Sequence, residues 1–78
     1  MDTLEETKKI LSKVLVLPPE KFTAEQQLLE IEGMDSLAFE TIVVEIEDRT
    51  GRDVDTAKLL DLKTVQDLAN LIQGLRAG

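Results

Sequence analysis

The chain has 78 residues, which is enough for one small domain with a single core, and its formal net charge is −7. This charge argues against nucleic acid as a partner, because phosphate binding relies on Lys and Arg, and it favours basic protein partners. The chain contains no Cys and no His, which excludes disulfides and thiolate zinc sites and removes the commonest catalytic base, so no metal site is expected.

The first predicted element is a helix over about residues 3–16. Asp2 or Thr3 can cap its start, and Glu6 is a favourable residue in the first turn. The Pro18-Pro19 pair stops the helix, because proline has no amide to donate and disfavours helix in the residue before it. The apolar side chains recur at helical spacing, at Leu4, Ile10, Leu11, Val14 and Leu15.

A long loop is expected after this helix, held against the core. Thr23 and Gln26 have the spacing of a capping box for one short turn. Gly33 then indicates a turn before the next helix. Four apolar residues are available as anchors, at Phe22, Leu28, Leu29 and Ile31.

The second predicted helix covers about residues 36–50. Asp35 stands where its carboxylate accepts amide hydrogen bonds from a first turn, so the helix begins at Ser36. Gly51 is well placed to end it in a left-handed conformation. The apolar residues occupy more than a narrow stripe, at Leu37, Ile42, Val43, Val44 and Ile46.

Two further helices complete the chain. Asp55 or Thr56 can cap a short third helix that extends through Leu60. Thr64 and Asp67 form a second capping-box pattern, at which the fourth helix begins. The apolar residues of this last helix fall on one face, at Val65, Leu68, Ala69, Ile72 and Leu75.

These elements predict an all-α protein, a four-helix bundle with a long first loop and a short third helix, in which residues 1–78 form one domain. Phe22 and Phe39 are the only aromatic residues, so the core is built from the aliphatic side chains usual in packed helices. No segment approaches the roughly 18 apolar residues of a membrane span, and the first nine residues are acidic and polar. We therefore expect a cytoplasmic monomer that does not bind membranes.

A candidate functional residue lies at the start of the second helix. The segment Gly33-Met34-Asp35-Ser36-Leu37 places a serine hydroxyl at the first helical position, behind a glycine. A phosphodiester formed there would lie at the positive end of the helix and near unpaired amides. An ordinary helix-start serine explains the Asp-Ser pair equally well when the pair is taken alone.

Longer motifs add to this segment. They are Glu45-Ile46-Glu47-Asp48 in the second helix and Leu62-Lys63-Thr64-Val65-Gln66-Asp67-Leu68 before the last. With the serine segment they resemble the acyl carrier protein, or phosphopantetheine-binding, family, in an ungapped match from the first helix to the fourth. Agreement of several independent elements makes the resemblance specific.

The resemblance implies a free-standing acyl carrier protein. It implies 4′-phosphopantetheine joined to Ser36, between Asp35 and Leu37, and installed from coenzyme A by a magnesium-dependent phosphopantetheinyl transferase. The thiol of this group would hold acyl or aminoacyl cargo as a thioester, so a chain without Cys would carry thiol chemistry and catalyse nothing itself. The further partners implied are acyl-loading, elongating and transferring enzymes with basic docking patches.

The resemblance also implies a docking face and an acyl pocket. The docking residues would be acidic and apolar side chains of the second helix: Leu37, Glu40, Val44, Glu45, Glu47 and Asp48. The pocket would be lined by Val43, Ile46, Val54, Leu59 and Leu62. A solvated helix face explains the carboxylates equally well, a role in the core explains Leu37 and Val44, and ordinary core packing explains the pocket residues.

Several positions depart from the commonest fatty-acid-type pattern of this family. Ala38 and Thr41 stand where acidic residues are frequent, Thr50 replaces a frequent phenylalanine, and Glu32 replaces the usual leucine. Phe39 adds a bulky apolar group near the attachment site and is predicted to be a docking anchor, unless it folds back onto the core. These departures predict a specialised carrier. They do not decide whether it serves fatty acid, lipid-modifying, polyketide or aminoacyl pathways.

Two other classes of function remain open alternatives. An unmodified acidic helical module would bind a protein partner through the second helix alone. A small enzyme or calcium binder would use Asp53, Asp55 and Asp61 as oxygen ligands. The spacing disfavours calcium, because no glycine occupies the turn position of a calcium loop and no glutamate closes it.

Overall fold

The fold is all-α, as predicted, in a computed structural model that describes residues 2–77. Within this range no helix is long and apolar enough to cross a membrane. Two short 3-10 turns lie in the loop between the first two α-helices, at Pro19–Lys21 and Leu28–Glu30. The four α-helices are α1 (Thr3–Leu15), α2 (Ser36–Thr50), α3 (Thr56–Asp61) and α4 (Val65–Ala77).

Local capping interactions set the ends of α1. The Asp2 carboxylate accepts the N–H of Leu4 at 3.0 Å. The helix ends at Leu15, one residue earlier than predicted, because Val16 takes a left-handed conformation with φ 57° and donates its N–H to Ser12 O. Leu17 cannot continue the helix, since the following proline disfavours helical backbone there.

The predicted caps of α2 and α4 are also confirmed. Asp35 Oδ1 accepts the N–H of Ala38 at 2.8 Å, and Gly51 ends α2 with φ 70° and its N–H on Glu47 O at 2.8 Å. At α4, Thr64 Oγ1 accepts the N–H of Asp67 at 3.1 Å, and Asp67 Oδ2 accepts the N–H of Thr64 at 3.1 Å. Asp67 accepts a second backbone N–H, from Lys63, and these hydrogen bonds lower the pKa of its carboxyl.

Three of the four predicted loop anchors are buried. Phe22, Leu28 and Ile31 lie in the core, whereas Leu29 is 70% exposed, so its assignment as an anchor was wrong. The reason is the 3-10 turn Leu28–Glu30, in which adjacent side chains point about 120° apart, so that Leu28 faces the core and Leu29 does not. The predicted short turn forms at Thr23: Gln26 donates its N–H to Thr23 O at 3.3 Å, and Gln26 Oε1 accepts the N–H of Thr23 at 3.4 Å.

The loop is also held by backbone hydrogen bonds to the segment between α3 and α4. Leu28 N–H donates to Lys63 O at 2.8 Å, and Val65 N–H donates to Gln26 O at 3.0 Å. These bonds flank an isolated antiparallel bridge between Gln27 and Thr64. Two non-helical segments thus satisfy some of each other's backbone hydrogen-bonding groups.

The helices enclose one core, which is mainly aliphatic. α1 packs against α4 and α2, and α3 packs against α2. The radius of gyration is 11.1 Å, close to the roughly 11.5 Å expected for a compact chain of this length. Fully buried side chains come from all four helices, among them Ile10, Leu11, Ile42, Ile46, Leu59, Leu68 and Ile72. The packing leaves the start of α2, beside the end of α1, at the surface.

Candidate functional site

Ser36 is the first residue of α2, and its side chain is exposed. The preceding Asp35 is extended and uses both its carboxylate and its carbonyl to accept the N–H groups of Ala38 and Phe39, at 2.8 and 3.0 Å. Among residues 2–77, no acceptor is found for the N–H groups of Ser36 and Leu37. Two free N–H groups at a helix start favour an anion on the serine hydroxyl.

Gly33 brings the loop close to α1 just before this serine. Its φ of +86° lies in the left-handed region, which an L side chain rarely adopts. A Cβ at this position would lie 3.5 Å from Cδ2 of Leu15, in van der Waals contact. The glycine therefore permits the turn and leaves open the space between the end of α1 and the start of α2.

An open groove fills this space. Its volume is about 280 Å³. The lining residues on α1 are Val14 and Leu15. The others, at and before the start of α2, are Gly33, Asp35, Leu37, Ala38 and Thr41. We call this feature the α1–α2 groove, and both sequence neighbours of Ser36 belong to it.

Four of the predicted docking residues form one exposed row on α2. Leu37 and Val44 are 69% and 56% exposed, and Glu40 and Asp48 are exposed as well. The spacing of these residues places them on one face of the helix. We call them the α2 stripe; it alternates apolar and acidic side chains.

Two other predicted docking carboxylates are engaged within the molecule. Glu45 is 2.7 Å from Lys13 Nζ and 3.4 Å from Arg49 Nε, and its side chain is only 17% exposed. The hydrogen bond from Lys13 is the main cause that lowers the pKa of the Glu45 carboxyl. Glu47 accepts the N–H of Val54 at 2.8 Å, which fixes the segment after α2. Both carboxylates thus have structural partners before any enzyme approaches.

Phe39 is not a surface anchor. It is 4% exposed and belongs to the core, and the neighbouring Ala38 is 8% exposed. The prediction of Phe39 as a docking residue was wrong, because Phe39 lies three residues before Ile42 and seven before Ile46, on the face of α2 that packs inward. Of Ala38, Phe39 and Thr41, only Thr41 is exposed, and its hydroxyl donates to Leu37 O at 2.9 Å.

The five residues predicted to line an acyl pocket come together in the fold. Val43, Ile46 and Leu59 are buried in the core. Val54 and Leu62 are half-buried and pack against it. All five therefore belong to or pack against the single core of the molecule, and their function as an acyl pocket stays a prediction.

The sequence analysis did not predict a buried ion pair that involves Glu6 of α1. Glu6 is 5% exposed, and Arg76 Nη2 donates to its Oε2 at 2.7 Å. Arg49 Nη1 lies 3.4 Å from the same carboxylate and also contacts Glu45. The hydrogen bond from Arg76, reinforced by the positive charges, lowers the pKa of Glu6 although burial opposes the shift. Glu6 lies four residues before Ile10 and so on the buried face of α1, and this spacing could have predicted its burial.

The three aspartates considered as calcium ligands do not form a metal site. Within residues 2–77, no group of three acidic side chains is close enough to hold an ion. Asp55 instead caps α3 by accepting the N–H of Ala57 at 3.0 Å. Its role in the fold is therefore a helix cap.

Known proteins match this chain over most of its length. A family profile described as "Phosphopantetheine attachment site" matches residues 5–72. The acyl carrier protein of Thermobifida fusca (strain YX) is 32% identical over 72 residues, which cover 92% of this chain and 91% of that protein. The acyl carrier protein of Saccharopolyspora erythraea is 33% identical over 76 residues, covering 97% and 80%. Acyl carrier protein 1, chloroplastic, of Hordeum vulgare is 37% identical over 75 residues, covering 95% and 50%.

Proposed function

This chain belongs to the acyl carrier protein family, whose members share a phosphopantetheine attachment site, and on this premise we propose its attachment residue and its docking surface. Its function is therefore that of an acyl carrier. The attachment residue is Ser36. The observation that carries this assignment is an exposed hydroxyl at the first position of α2, beside two N–H groups without an acceptor in the described chain.

Attachment of phosphopantetheine requires one accessible hydroxyl on this chain. Ser36 Oγ forms a bond to the phosphorus of the coenzyme A pyrophosphate that bears pantetheine, the bond from that phosphorus to the bridging oxygen breaks, and adenosine 3′,5′-bisphosphate leaves. The hydroxyl proton passes to the transferase. When bound, the group supplies the thiol on which acyl cargo is held, which a chain without Cys lacks.

The residues around Ser36 position its hydroxyl for this reaction. Asp35 fixes the start of α2 by accepting two N–H groups, so the next residue stays at the surface. The helix dipole and the free N–H groups stabilise the phosphodiester anion by about 0.3 to 1 kcal/mol. The chain contains neither Cys nor His, and it acts as a substrate that catalyses no reaction of its own.

The α2 stripe is the proposed docking surface. Its two apolar side chains and two exposed carboxylates fit an enzyme surface with a shallow apolar contact surrounded by Lys or Arg. The partners proposed are a phosphopantetheinyl transferase and the enzymes that load, elongate and transfer the acyl group. Residues 1–78 are proposed to act as one domain and as a monomer.

Intact-mass measurement tests the attachment residue. The protein is incubated with coenzyme A, magnesium and a broad-specificity phosphopantetheinyl transferase. Wild type is expected to gain the mass of one phosphopantetheine, and Ser36→Ala none. Ser12 is the other serine of the chain, and its hydroxyl donates to Leu17 O, so Ser12→Ala is the matched control and should be modified. An unmodified wild type would favour the acidic interaction module instead.

A further inference from the structure

We propose that the α1–α2 groove holds the pantetheine arm when no enzyme is bound, an inference that rests on attachment at Ser36. Attachment already determines where the arm begins. Asp35 and Leu37, on either side of Ser36, both line the groove. A group on the Ser36 hydroxyl therefore starts at the rim of this groove.

The chemistry of the groove fits the arm. Pantetheine has a geminal dimethyl group and methylenes, which favour apolar contact, and the groove presents Val14 and Leu15, both half-buried, together with Leu37. Any side chain at Gly33 would contact Leu15 and narrow this space. The absence of a Cβ at this position therefore leaves more of the groove open.

Polar groups at the groove also match the arm. Pantetheine has two amides, which need hydrogen-bond partners when they leave bulk water. Asp35 uses one carboxylate oxygen for Ala38 N–H, and the other oxygen is an acceptor. Thr41 donates its hydroxyl proton to Leu37 O and keeps acceptor capacity. The groove thus offers two acceptors for amide N–H groups.

Packing favours this groove over the buried residues predicted to line an acyl pocket. The groove volume, about 280 Å³, is close to the lower end of the range of roughly 300 to 1,000 Å³ for small-molecule sites. Val43, Ile46 and Leu59 are packed in the core, so a ligand among them requires the helices to separate. The α1–α2 groove is open without any such movement.

Leu37 gives this arrangement a consequence for docking. It lines the α1–α2 groove and is also the first residue of the α2 stripe. An enzyme that covers the stripe therefore contacts the same side chain as the arm. Docking and release of the arm from the groove are expected to be linked through this residue.

NMR of the complete chain tests the inference. Apo and holo protein are compared by amide and methyl spectra, with intact mass to establish one phosphopantetheine on Ser36. We expect chemical shift changes at Val14, Leu15 and Val16, which are distant in sequence from Ser36, and nuclear Overhauser contacts from the geminal methyls of the arm to the Leu15 methyls. Changes at residues 33–38 alone follow from attachment itself and would overturn the proposal.

Two variants sharpen this test. Thr41→Glu places a longer charged side chain at the groove and should remove most of the shift changes on α1. Leu60→Glu makes the same kind of change at an exposed α3 position and should preserve them. A modified protein whose arm contacts Leu59 or Leu62 instead would overturn the groove while leaving attachment intact. An unmodified wild type would overturn both.

Discussion

Glu6 shows how one carboxylate joins three helices. It lies on α1 and contacts Arg76 of α4 and Arg49 of α2, with its own side chain only 6% exposed. A buried charge is tolerated when opposite charges and hydrogen bonds replace its water. The two guanidinium groups remain about one-third exposed, so they can be solvated if the carboxylate is lost. The effect on stability should therefore be moderate.

Replacing Glu6 tests this contribution. Glu6→Ala removes the acceptor of a charged hydrogen bond and is expected to lower the free energy of unfolding by about 1 to 3 kcal/mol. Glu5→Ala, one residue away, removes an exposed carboxylate that pairs with Lys8 at 3.4 Å and should change it by less than about 0.5 kcal/mol. Urea denaturation measures both. Equal effects of the two substitutions would contradict the structural role of Glu6.

The same residue predicts a dependence of stability on pH. The pKa of Glu6 is lowered in the folded state, chiefly by the hydrogen bond from Arg76, below its ordinary value of 4.5. Its contribution is therefore fully present above about pH 5 and is lost as the pH falls through the folded-state pKa. The stability difference between wild type and Glu6→Gln should be constant near neutrality and shrink below pH 4.5. A difference that does not change down to pH 3 would contradict this.

At the scale of elements, the ends of α2 determine what the helix presents. Asp35 starts it with Ser36 at the surface, and Gly51 ends it in a left-handed conformation with φ 70°. Glu47 then accepts Val54 N–H and directs the chain towards α3. A charge reversal at Glu47 would therefore disturb this segment as well as any docking contact, so it is a poor probe of docking.

Two glycines in helical surroundings are predicted to respond with opposite signs. Gly51→Ala places a Cβ in the left-handed region and should cost about 1 to 2 kcal/mol, although nothing lies within 4 Å of that Cβ. Gly74 lies inside α4, also with open space around its Cβ, and Gly74→Ala should add about 0.5 to 1 kcal/mol. Urea midpoints with unchanged m-values measure both. Equal signs would show that side-chain contacts, and not backbone conformation, decide the effect.

At the scale of the whole molecule, a net charge of −7 favours the approach of basic partners, and we propose that the α2 stripe determines where they bind. The net charge acts on the approach of any basic protein, whereas the proposed docking depends on particular carboxylates. The two effects are separable, because acidic residues are also exposed in the first loop, at Glu20 and Glu25.

A pair of charge reversals tests the stripe. Glu40→Lys with Asp48→Lys and the control Glu20→Lys with Glu25→Lys both change the net charge from −7 to −3. The stripe variant should reduce kcat/KM of the transferase about five- to tenfold, since exposed ion pairs contribute roughly 0.2 to 1 kcal/mol each and reversal adds repulsion. The control should change it far less.

Salt provides the second measurement for the stripe. Exposed charges are screened over about 8 Å at physiological ionic strength, so kcat/KM for wild type and the control should fall as salt rises. The kcat/KM of the stripe variant should depend on salt much less. If both double variants lose rate equally, net charge and not the stripe accounts for binding.

The local features of the fold were readable from the sequence. The bounds of α2, the caps at Asp35 and Gly51 and the capping box of Thr64 and Asp67 agree with prediction. They depend on interactions within about four residues, which sequence alone specifies. The motif around Ser36 depends on the same kind of local pattern, and the family to which it pointed is confirmed by the comparisons.

The features that sequence could not decide depend on packing between distant segments. Phe39 and Leu29 are both large apolar residues, yet one is buried and the other exposed, because the neighbouring helices determine which sides of α2 and of the loop face inward. Glu6 and Arg76 are separated by almost the whole chain and meet only because α1 packs against α4. Local propensity specifies where a helix begins and ends, whereas the partner of each side chain is fixed only when the helices assemble.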